Sequence, residues 1–221
     1  MANGSQPSNQ ITTIDTLNEL ERHIKQLIQI EPRFAPVYKQ VGTPSLRRNN
    51  GGFNELMRAM VGQQLSVAAA ASIWNKLDKA GMTTPQTIKN ADDDELRING
   101  LSRQKIRYLR SLVEHDIDFA ALKNLPDDEV IATLTAVTGI GRWTAEMYLL
   151  FSLGRADVLA VDDLAIKAGA MSLLGLDDRP MPKQLRLLSE PWSPYRSAAS
   201  LLLWSHLSLI HISEPTRRRG I

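Results

Sequence analysis

Residues 134–145 read LTAVTGIGRWTA and place a Gly-x-Gly turn at residues 139–141 between two helical patterns. We expect one helix to end near Thr138 and the next to begin at Arg142, which leaves unpaired backbone N–H groups at the positive end of the second helix dipole. Glycine permits positive φ and lets a phosphate approach the backbone without an intervening Cβ. The stretch predicts either an anion-binding hairpin or a plain helix–turn–helix connection, which needs similar glycines.

The doublet Asp162 and Asp163 follows this hairpin after one further apolar helix. A carboxylate at fixed reach from an anion-binding turn suggests a protein that holds a phosphate backbone and acts on a group nearby. Adjacent residues at a helix start diverge by about 100°, so only one of these carboxylates can face a given substrate. The residues alone favour Asp163 as the N-cap of the segment LAIKAGAM, and Asp162 as a cap or an ion-pair partner.

Apolar residues recur every three or four positions along most of the chain, and no segment alternates convincingly with a period of two. The first apolar stripe covers residues 14–28, with Thr13 or Asp15 as its N-cap. A second stripe opens at Ser102, and a third carries Pro126 in its first turn. This periodicity predicts an all-α fold.

The composition excludes several kinds of site. The chain has no cysteine, which excludes disulfides, thiolate zinc sites and cysteine-ligated iron–sulfur clusters. Its four histidines are scattered without paired metal-ligand spacing. No apolar run approaches the ~20 residues of a membrane span, and the polar start has no apolar signal region. We therefore expect a cytoplasmic protein with no membrane partner and no side-chain metal site.

The net charge of +2 is concentrated in the tail. Residues 217–219 are arginines, and without them and Glu214 the acidic and basic residues are equal in number. Any affinity for nucleic acid must then come from local placement of donors rather than from a basic overall field. The tail, residues 208–221, also loses the helical pattern after Leu207. It is interpreted either as a disordered basic arm that contacts DNA or as a non-native extension resembling translated adapter read-through.

Four motifs stand out, in this order along the chain. They are FNELMRAMVGQQLSVAAAASIW at residues 53–74, GLSRQK at residues 100–105, LTAVTGIGRWTA with the helix and aspartate that follow it, and WSPYRSAASLLLW at residues 192–204. Together they resemble the motifs of the helix-hairpin-helix (HhH-GPD) DNA glycosylase superfamily. The resemblance covers residues 14–207 and is closest to the bacterial 3-methyladenine DNA glycosylases II of AlkA type, in a compact form without the amino-terminal β-rich subdomain.

The resemblance implies a two-lobed helical fold with the active-site cleft between the lobes. Residues 49–149 would form the lobe that carries the hairpin. Residues 14–48 would pack with residues 150–207 in the other lobe. Residues 1–13 are expected to be disordered.

The resemblance assigns the catalytic role to Asp163, because Ile166 matches the aliphatic residue that follows the family's aspartate. Cleavage of an N-glycosidic bond develops positive charge on the sugar, and a desolvated carboxylate stabilises that charge. Trp143 stands where strand-cutting relatives have a lysine nucleophile, so the resemblance implies base removal without a Schiff base. Trp143, Trp204 and Tyr195 are the candidate substrate-pocket residues, and core packing is the other interpretation for both tryptophans.

The resemblance also predicts DNA contacts in two loops and in the hairpin. In the first loop, a polar helix end and an N-cap are the alternative interpretations. In the second, either Leu101 fills the gap left by a flipped base or Arg103 contacts a phosphate. The predicted DNA-binding residues are Gln63, Gln64 and Ser66 in the first loop, Leu101, Ser102 and Arg103 in the second, and Gly139, Ile140, Gly141, Arg142 and Thr144 in the hairpin.

No cofactor is required by this resemblance, apart from a monovalent cation (Na⁺ or K⁺) that the family's hairpin holds through backbone carbonyls. Those carbonyls fall at Thr135, Val137 and Gly139. Such a site leaves no side-chain signature in the sequence.

Together these inferences predict a monomeric, monofunctional DNA glycosylase associated with the nucleoid. It would flip alkylated purines such as 3-methyladenine or 7-methylguanine out of double-stranded DNA and excise them hydrolytically in base excision repair. The alternative is a non-catalytic helix-hairpin-helix DNA-binding module, because such hairpins also clamp the backbone in polymerases and ligases. A position for Asp163 on a pocket wall favours the enzyme, and burial in a structural salt bridge favours the module.

Overall fold

The computed structural model of the chain describes residues 11–213. Within this range the chain is helical, as predicted, and the one extended pairing is an isolated antiparallel bridge between Thr13 and Arg155. Short 3₁₀ helices cover Ala121–Asn124 and Glu190–Trp192, and a π-helix covers Tyr148–Leu153. The α-helices are Leu17–Ile30 (α1), Phe34–Val41 (α2), Gly52–Gly62 (α3), Val67–Lys79 (α4), Pro85–Asn90 (α5), Asp93–Ile98 (α6), Arg103–Glu114 (α7), Asp127–Thr135 (α8), Arg142–Met147 (α9), Leu164–Leu174 (α10), Pro182–Leu188 (α11) and Arg196–Ser213 (α12).

Side-chain caps fix where several helices begin. Thr16 caps α1 in a reciprocal capping box with Glu19, so the prediction of Thr13 or Asp15 as the cap is wrong. The Thr13 hydroxyl donates instead to the Asp15 carboxylate at 2.7 Å. Ser102 caps α7, which confirms the predicted start of that helix.

Two hydrophobic cores divide the described residues into two lobes, as predicted. The hairpin lobe is built around α3, α4, α7, α8 and α9, and its core extends along the chain as far as Val158. The terminal lobe is built around α1, α2, α10 and α12, with Phe34 and Trp192 fully buried in edge-to-face contact at 5.2 Å. Phe151 and Trp204 pack against both cores. These two aromatic residues therefore mark the junction between the lobes.

Arg155 connects the lobes at this junction. It is only 2% exposed, and its Nη2 donates to the carbonyl oxygens of Leu122, Lys123 and Leu125, which end the first 3₁₀ helix. Its Nε lies 3.2 Å from the Asp127 carboxylate at the start of α8. These three hydrogen bonds and the ion pair tie the segment between the lobes to the hairpin lobe, although Nε and Nη1 of Arg155 are buried without a hydrogen-bond partner.

Both ends of the described chain differ from their predicted state. Residues 1–10 of the predicted disordered start lie outside the described residues. Thr12 and Ile14, however, exchange backbone hydrogen bonds with Ala156 and Gly154 at 3.0 and 2.8 Å, so disorder is the wrong prediction for residues 12–13. The predicted loss of helix after Leu207 is also wrong as far as Ser213, where α12 ends. The remaining tail lies outside the described residues.

No helix in the part of the chain that the structure describes is long and apolar enough to span a bilayer.

Candidate active site

The hairpin joins α8 to α9, and α9 begins at Arg142 as predicted. The preceding helix ends at Thr135 rather than near Thr138. Gly139 has a φ of +96°, and a Cβ there would lie 2.4 Å from the Tyr108 ring, so this position requires glycine. At Gly141 a Cβ would meet no atom within 4 Å. The hairpin tip is therefore open to an approaching group.

Asp163 caps a helix and also accepts hydrogen bonds from two indole N–H groups. Its Oδ1 accepts hydrogen bonds from the backbone N–H groups of Ala165 and Ile166 at 2.8 and 3.0 Å, which caps α10. Trp143 Nε1 donates to Oδ2 at 3.0 Å, and Trp204 Nε1 donates to Oδ1 at 3.1 Å. No ion pair among the described residues involves this carboxylate. The N-cap interpretation and the pocket interpretation of Asp163 therefore hold together.

These side chains line a cleft of about 590 Å³, within the range typical of small-molecule sites. Trp204 stacks on Phe151 with ring centroids 5.8 Å apart and planes inclined by 25°. The cleft is lined by Pro44, Ser45, Arg47, Trp143, Met147, Phe151, Asp163, Ala165, Leu201, Trp204, Ser205, Leu207 and Ser208.

Sequence reasoning missed several cleft residues. Met147 and Phe151 follow Trp143 at intervals of four, a spacing that places side chains on one helix face and could have identified them. Arg47 lies in the irregular segment between α2 and α3 and gives no periodic signal.

Asp162 is not among the residues that line this cleft. Its Oδ2 lies 3.9 Å from Arg186 Nη2, and Arg186 Nη1 lies 3.8 Å from Glu146. Glu146 is 3% exposed and accepts from Arg142 Nε at 2.9 Å. Burial raises the pKa of the Glu146 carboxyl, against the opposing effect of Arg142 and Arg186. Asp162 is thus the ion-pair partner that the sequence predicted.

Tyr195 does not line the cleft, so its prediction as a pocket residue is wrong. Its ring meets His23 edge to face at 5.2 Å, and both line a separate depression along α1. Tyr195 directly precedes α12, whereas Trp204 lies more than two turns further along that helix. The motif predicted helix α12 correctly, but it did not predict the direction of the Tyr195 side chain just before that helix.

Three predicted DNA-binding side chains are buried. Leu101 is 3% exposed and belongs to the core of the hairpin lobe, so the prediction that it fills the gap of a flipped base is wrong. Ile140 and Thr144 are also buried, and Ile140 belongs to the same core and anchors the hairpin. An apolar side chain holds a loop in place by packing inward, which removes it from the surface.

The other predicted loop residues are at or near the surface. Gln64, at a φ of 58°, and Arg103 are exposed. Ser66 and Ser102 cap α4 and α7, which confirms the N-cap interpretation of Ser66. Gln63 Nε2 donates to the Gly139 carbonyl at 2.9 Å, so the first loop is bound to the hairpin.

The carbonyls predicted to hold a monovalent cation have some existing partners. Val137 O accepts from the Ile140 N–H at 3.1 Å, and Gly139 O accepts from Gln63. A carbonyl oxygen has two lone pairs, so hard oxygen donors remain that suit Na⁺ or K⁺.

Comparison with known proteins places this chain among base excision DNA repair proteins. A model of the HhH-GPD superfamily of base excision DNA repair proteins matches residues 57–194. DNA-3-methyladenine glycosylase 1 of Schizosaccharomyces pombe is 33% identical over 210 residues, which cover 91% of this chain and 89% of that protein. DNA-3-methyladenine glycosylase 2 of Escherichia coli is 29% identical over 166 residues, covering 69% of this chain and 56% of that protein.

Two solved structures share the fold and part of the sequence. A DNA-3-methyladenine glycosidase from Bacillus halodurans superposes with a TM-score of 0.80 at 32% identity, covering 92% of this chain and 94% of that one. The S. pombe 3-methyladenine DNA glycosylase in complex with abasic DNA gives a TM-score of 0.68 at 33% identity, covering 83% and 95%. These likenesses confirm the family that the four motifs indicated. The chain belongs to the HhH-GPD superfamily of base excision DNA repair proteins.

Proposed function

We propose that this protein is a monofunctional DNA glycosylase that hydrolytically removes alkylated purines from double-stranded DNA. The observation that carries the proposal is the position of Asp163, a carboxylate that has no ion-pair partner within residues 11–213, on the wall of an aromatic cleft beside the hairpin. The names of the relatives from S. pombe and E. coli support the same reaction, removal of 3-methyladenine.

Breaking the bond between base and sugar develops positive charge on C1′ of the sugar. Asp163 would stabilise this charge more in the transition state than in the ground state. Its four N–H contacts, from Ala165, Ile166, Trp143 and Trp204, hold the carboxylate in one orientation before substrate enters. An alkylated purine already carries positive charge and leaves without a strong acid. One carboxylate therefore suffices, where most glycoside hydrolases need two.

The cleft walls suit an electron-poor base. Trp143, Phe151 and Trp204 offer aromatic faces, and each cation–π contact contributes roughly 0.5–2 kcal/mol. Trp143 is 45% exposed, so an entering base can reach its ring. Among the described residues that line the cleft, none is lysine, which leaves no amine to form a Schiff base.

The hairpin would hold the DNA backbone by its amides, at the open tip around Gly141. Flipping a base costs a few kcal/mol of unstacking. The exposed residues Gln64 and Arg103 are the candidates to contact the DNA around the gap. A monovalent cation at the hairpin carbonyls, double-stranded DNA as partner, a monomeric state and a location at the nucleoid are parts of the same proposal. The related S. pombe enzyme was solved with abasic DNA, the product expected here.

The test is a base-release assay on methylated duplex DNA. The wild-type chain should release methylated purines and leave abasic sites without cutting the strand, and Asp163→Asn should bind the same duplex without releasing bases. Asparagine also caps helices well, so this variant keeps α10. Near wild-type release by Asp163→Asn would favour a different catalytic residue, and no release by the wild-type chain would favour the DNA-binding module. A covalent complex trapped by borohydride would exclude the monofunctional mechanism.

A further inference from the structure

The cleft contains one side chain that the proposed chemistry does not use. Arg47 is the cationic residue among those lining the cleft, and it is exposed. In the part of the chain that the structure describes, its guanidinium enters no hydrogen bond and no ion pair, including none with Asp163. The cleft therefore presents a carboxylate and a guanidinium that do not neutralise each other in a direct pair.

The backbone on both sides of Arg47 is fixed. Pro44 is buried, and Arg48 pairs with Asp15 at 3.1 Å while packing against Gly154. The Asn49 N–H donates to the carbonyl of Phe151 at 3.0 Å, and Phe151 is itself a wall of the cleft. Arg47 is thus presented to the cleft from a segment anchored to the cleft wall.

Opposite charges in one cleft match the charge separation that occurs when a neutral purine nucleoside dissociates. The C1′–N9 bond breaks with both electrons going to N9, so the sugar becomes cationic and the base anionic. Water then adds to C1′ and loses a proton, and the base gains a proton from solvent. A cationic alkylated purine differs at one point, because its base leaves neutral.

We infer that Arg47 is a specificity-determining residue that extends excision to neutral purines with a carbonyl group, by stabilising the base as it leaves as an anion. The inference rests on the proposed function, with Asp163 at the sugar. A guanidinium remains protonated and offers several N–H donors in a fixed plane, so Arg47 acts as a hydrogen-bond donor and not as an acid. Hydrogen-bond donors directed at a charge that develops only in the transition state increase the rate of the chemical step rather than the affinity for substrate.

The experiment compares two duplexes that differ at one base, hypoxanthine or 7-methylguanine. Both bases have a 6-carbonyl, but hypoxanthine leaves as an anion and 7-methylguanine leaves neutral. Single-turnover excision rates are measured with the full chain and with Arg47→Met, Arg47→Lys and the distant surface control Arg22→Met. Arg47→Met should slow hypoxanthine excision on the order of 100-fold more than it slows 7-methylguanine excision. Arg47→Lys should fall between wild type and Arg47→Met, and Arg22→Met should match wild type.

Several outcomes would overturn the inference. Equal loss on both duplexes, with a smaller salt dependence of DNA binding, would assign Arg47 to a phosphate. Unchanged rates in Arg47→Met, or Arg47→Lys no faster than Arg47→Met, would exclude the electrostatic role. Excision of 7-methylguanine but not hypoxanthine by the wild-type chain would defeat this inference and leave the proposed function intact, whereas excision of neither base would defeat the proposed function. Matching thermal unfolding of the variants and wild type shows that any rate change is not misfolding.

Discussion

The two sides of the junction between the lobes are built from neighbouring residues but differ in chemistry. On the aromatic side, Trp143 contacts Asp163. On the ionic side, their chain neighbours Arg142 and Asp162 belong to a cluster with Glu146 and Arg186. Among the residues that the structure describes, the carboxylate on the aromatic side forms no ion pair, whereas Glu146 and Asp162 on the ionic side both do. Adjacent residues in two segments thus have different roles. Asp163 is available for catalysis, whereas the charges of Arg142 and Asp162 are neutralised in ion pairs.

The largest expected effect separates the adjacent aspartates. Asp163→Asn should lower the single-turnover excision rate of methylated purines by at least ~1,000-fold, because the charge that stabilises the sugar cation is lost. Asp162→Asn is the matched control, and its rate should change less than about twofold, since its exposed ion pair with Arg186 is weak. Similar losses in both variants would show that the two sides do not differ in function.

A smaller effect is expected for the indole donors. Trp143→Phe and Trp204→Phe each keep an aromatic ring but remove one N–H bond to Asp163. Without one of these bonds the carboxylate is held less firmly in its orientation toward the sugar, so each variant should lose roughly tenfold in excision rate. Unchanged rates in both variants would contradict the role of the indoles in orienting the carboxylate.

On the ionic side the expected effect is on stability and its pH dependence. Burial raises the pKa of Glu146 in the folded protein, so the fold binds this proton more tightly than the unfolded chain does. The corresponding stability is present in acid and is lost as pH rises from the ordinary glutamate value through the raised one. The difference in unfolding free energy between wild type and Glu146→Gln should therefore decrease as pH rises through this window, with a slope of at most about 1.4 kcal/mol per pH unit.

Urea unfolding at several pH values measures this difference. Asp127→Asn serves as a comparison, because burial also raises the pKa of Asp127, which pairs with Arg155 at another point of the junction. A difference curve for Glu146→Gln that is flat with pH would contradict the raised pKa of this carboxyl.

The smallest effect is expected at Arg186. Its two ion pairs, at 3.8 and 3.9 Å, are long and partly exposed, and such pairs contribute about 0–1 kcal/mol. Arg186→Gln should change thermal stability slightly and excision less than about twofold. A tenfold loss of excision with unchanged unfolding would show that the ionic side also positions Asp163. The two sides would then not be separate in function.

The features that could be predicted from the sequence are those that periodicity or a motif encodes. The all-α class followed from periodicity, and Asp163, Trp143 and Trp204 followed from the resemblance, since a motif preserves the order of residues along helices. Leu101 and Tyr195 were placed wrongly because a motif does not encode the direction of a side chain at a turn or a helix start.

Arg47 could not be predicted for a different reason. Its segment has no regular period, and its position in the cleft depends on contacts of Pro44, Arg48 and Asn49 with distant parts of the chain. Contacts of this kind exist only once the chain has folded.

The hydrogen bond from Gln63 to the Gly139 carbonyl has a mechanical consequence. It joins the loop after α3 to the hairpin, so the two loops can change their spacing only if this hydrogen bond breaks or rearranges. If both contact DNA, the spacing between the two contacts is set before the duplex arrives. Recognition would then select duplexes already able to bend to that spacing, and an intact, stiff duplex would be refused at the first step.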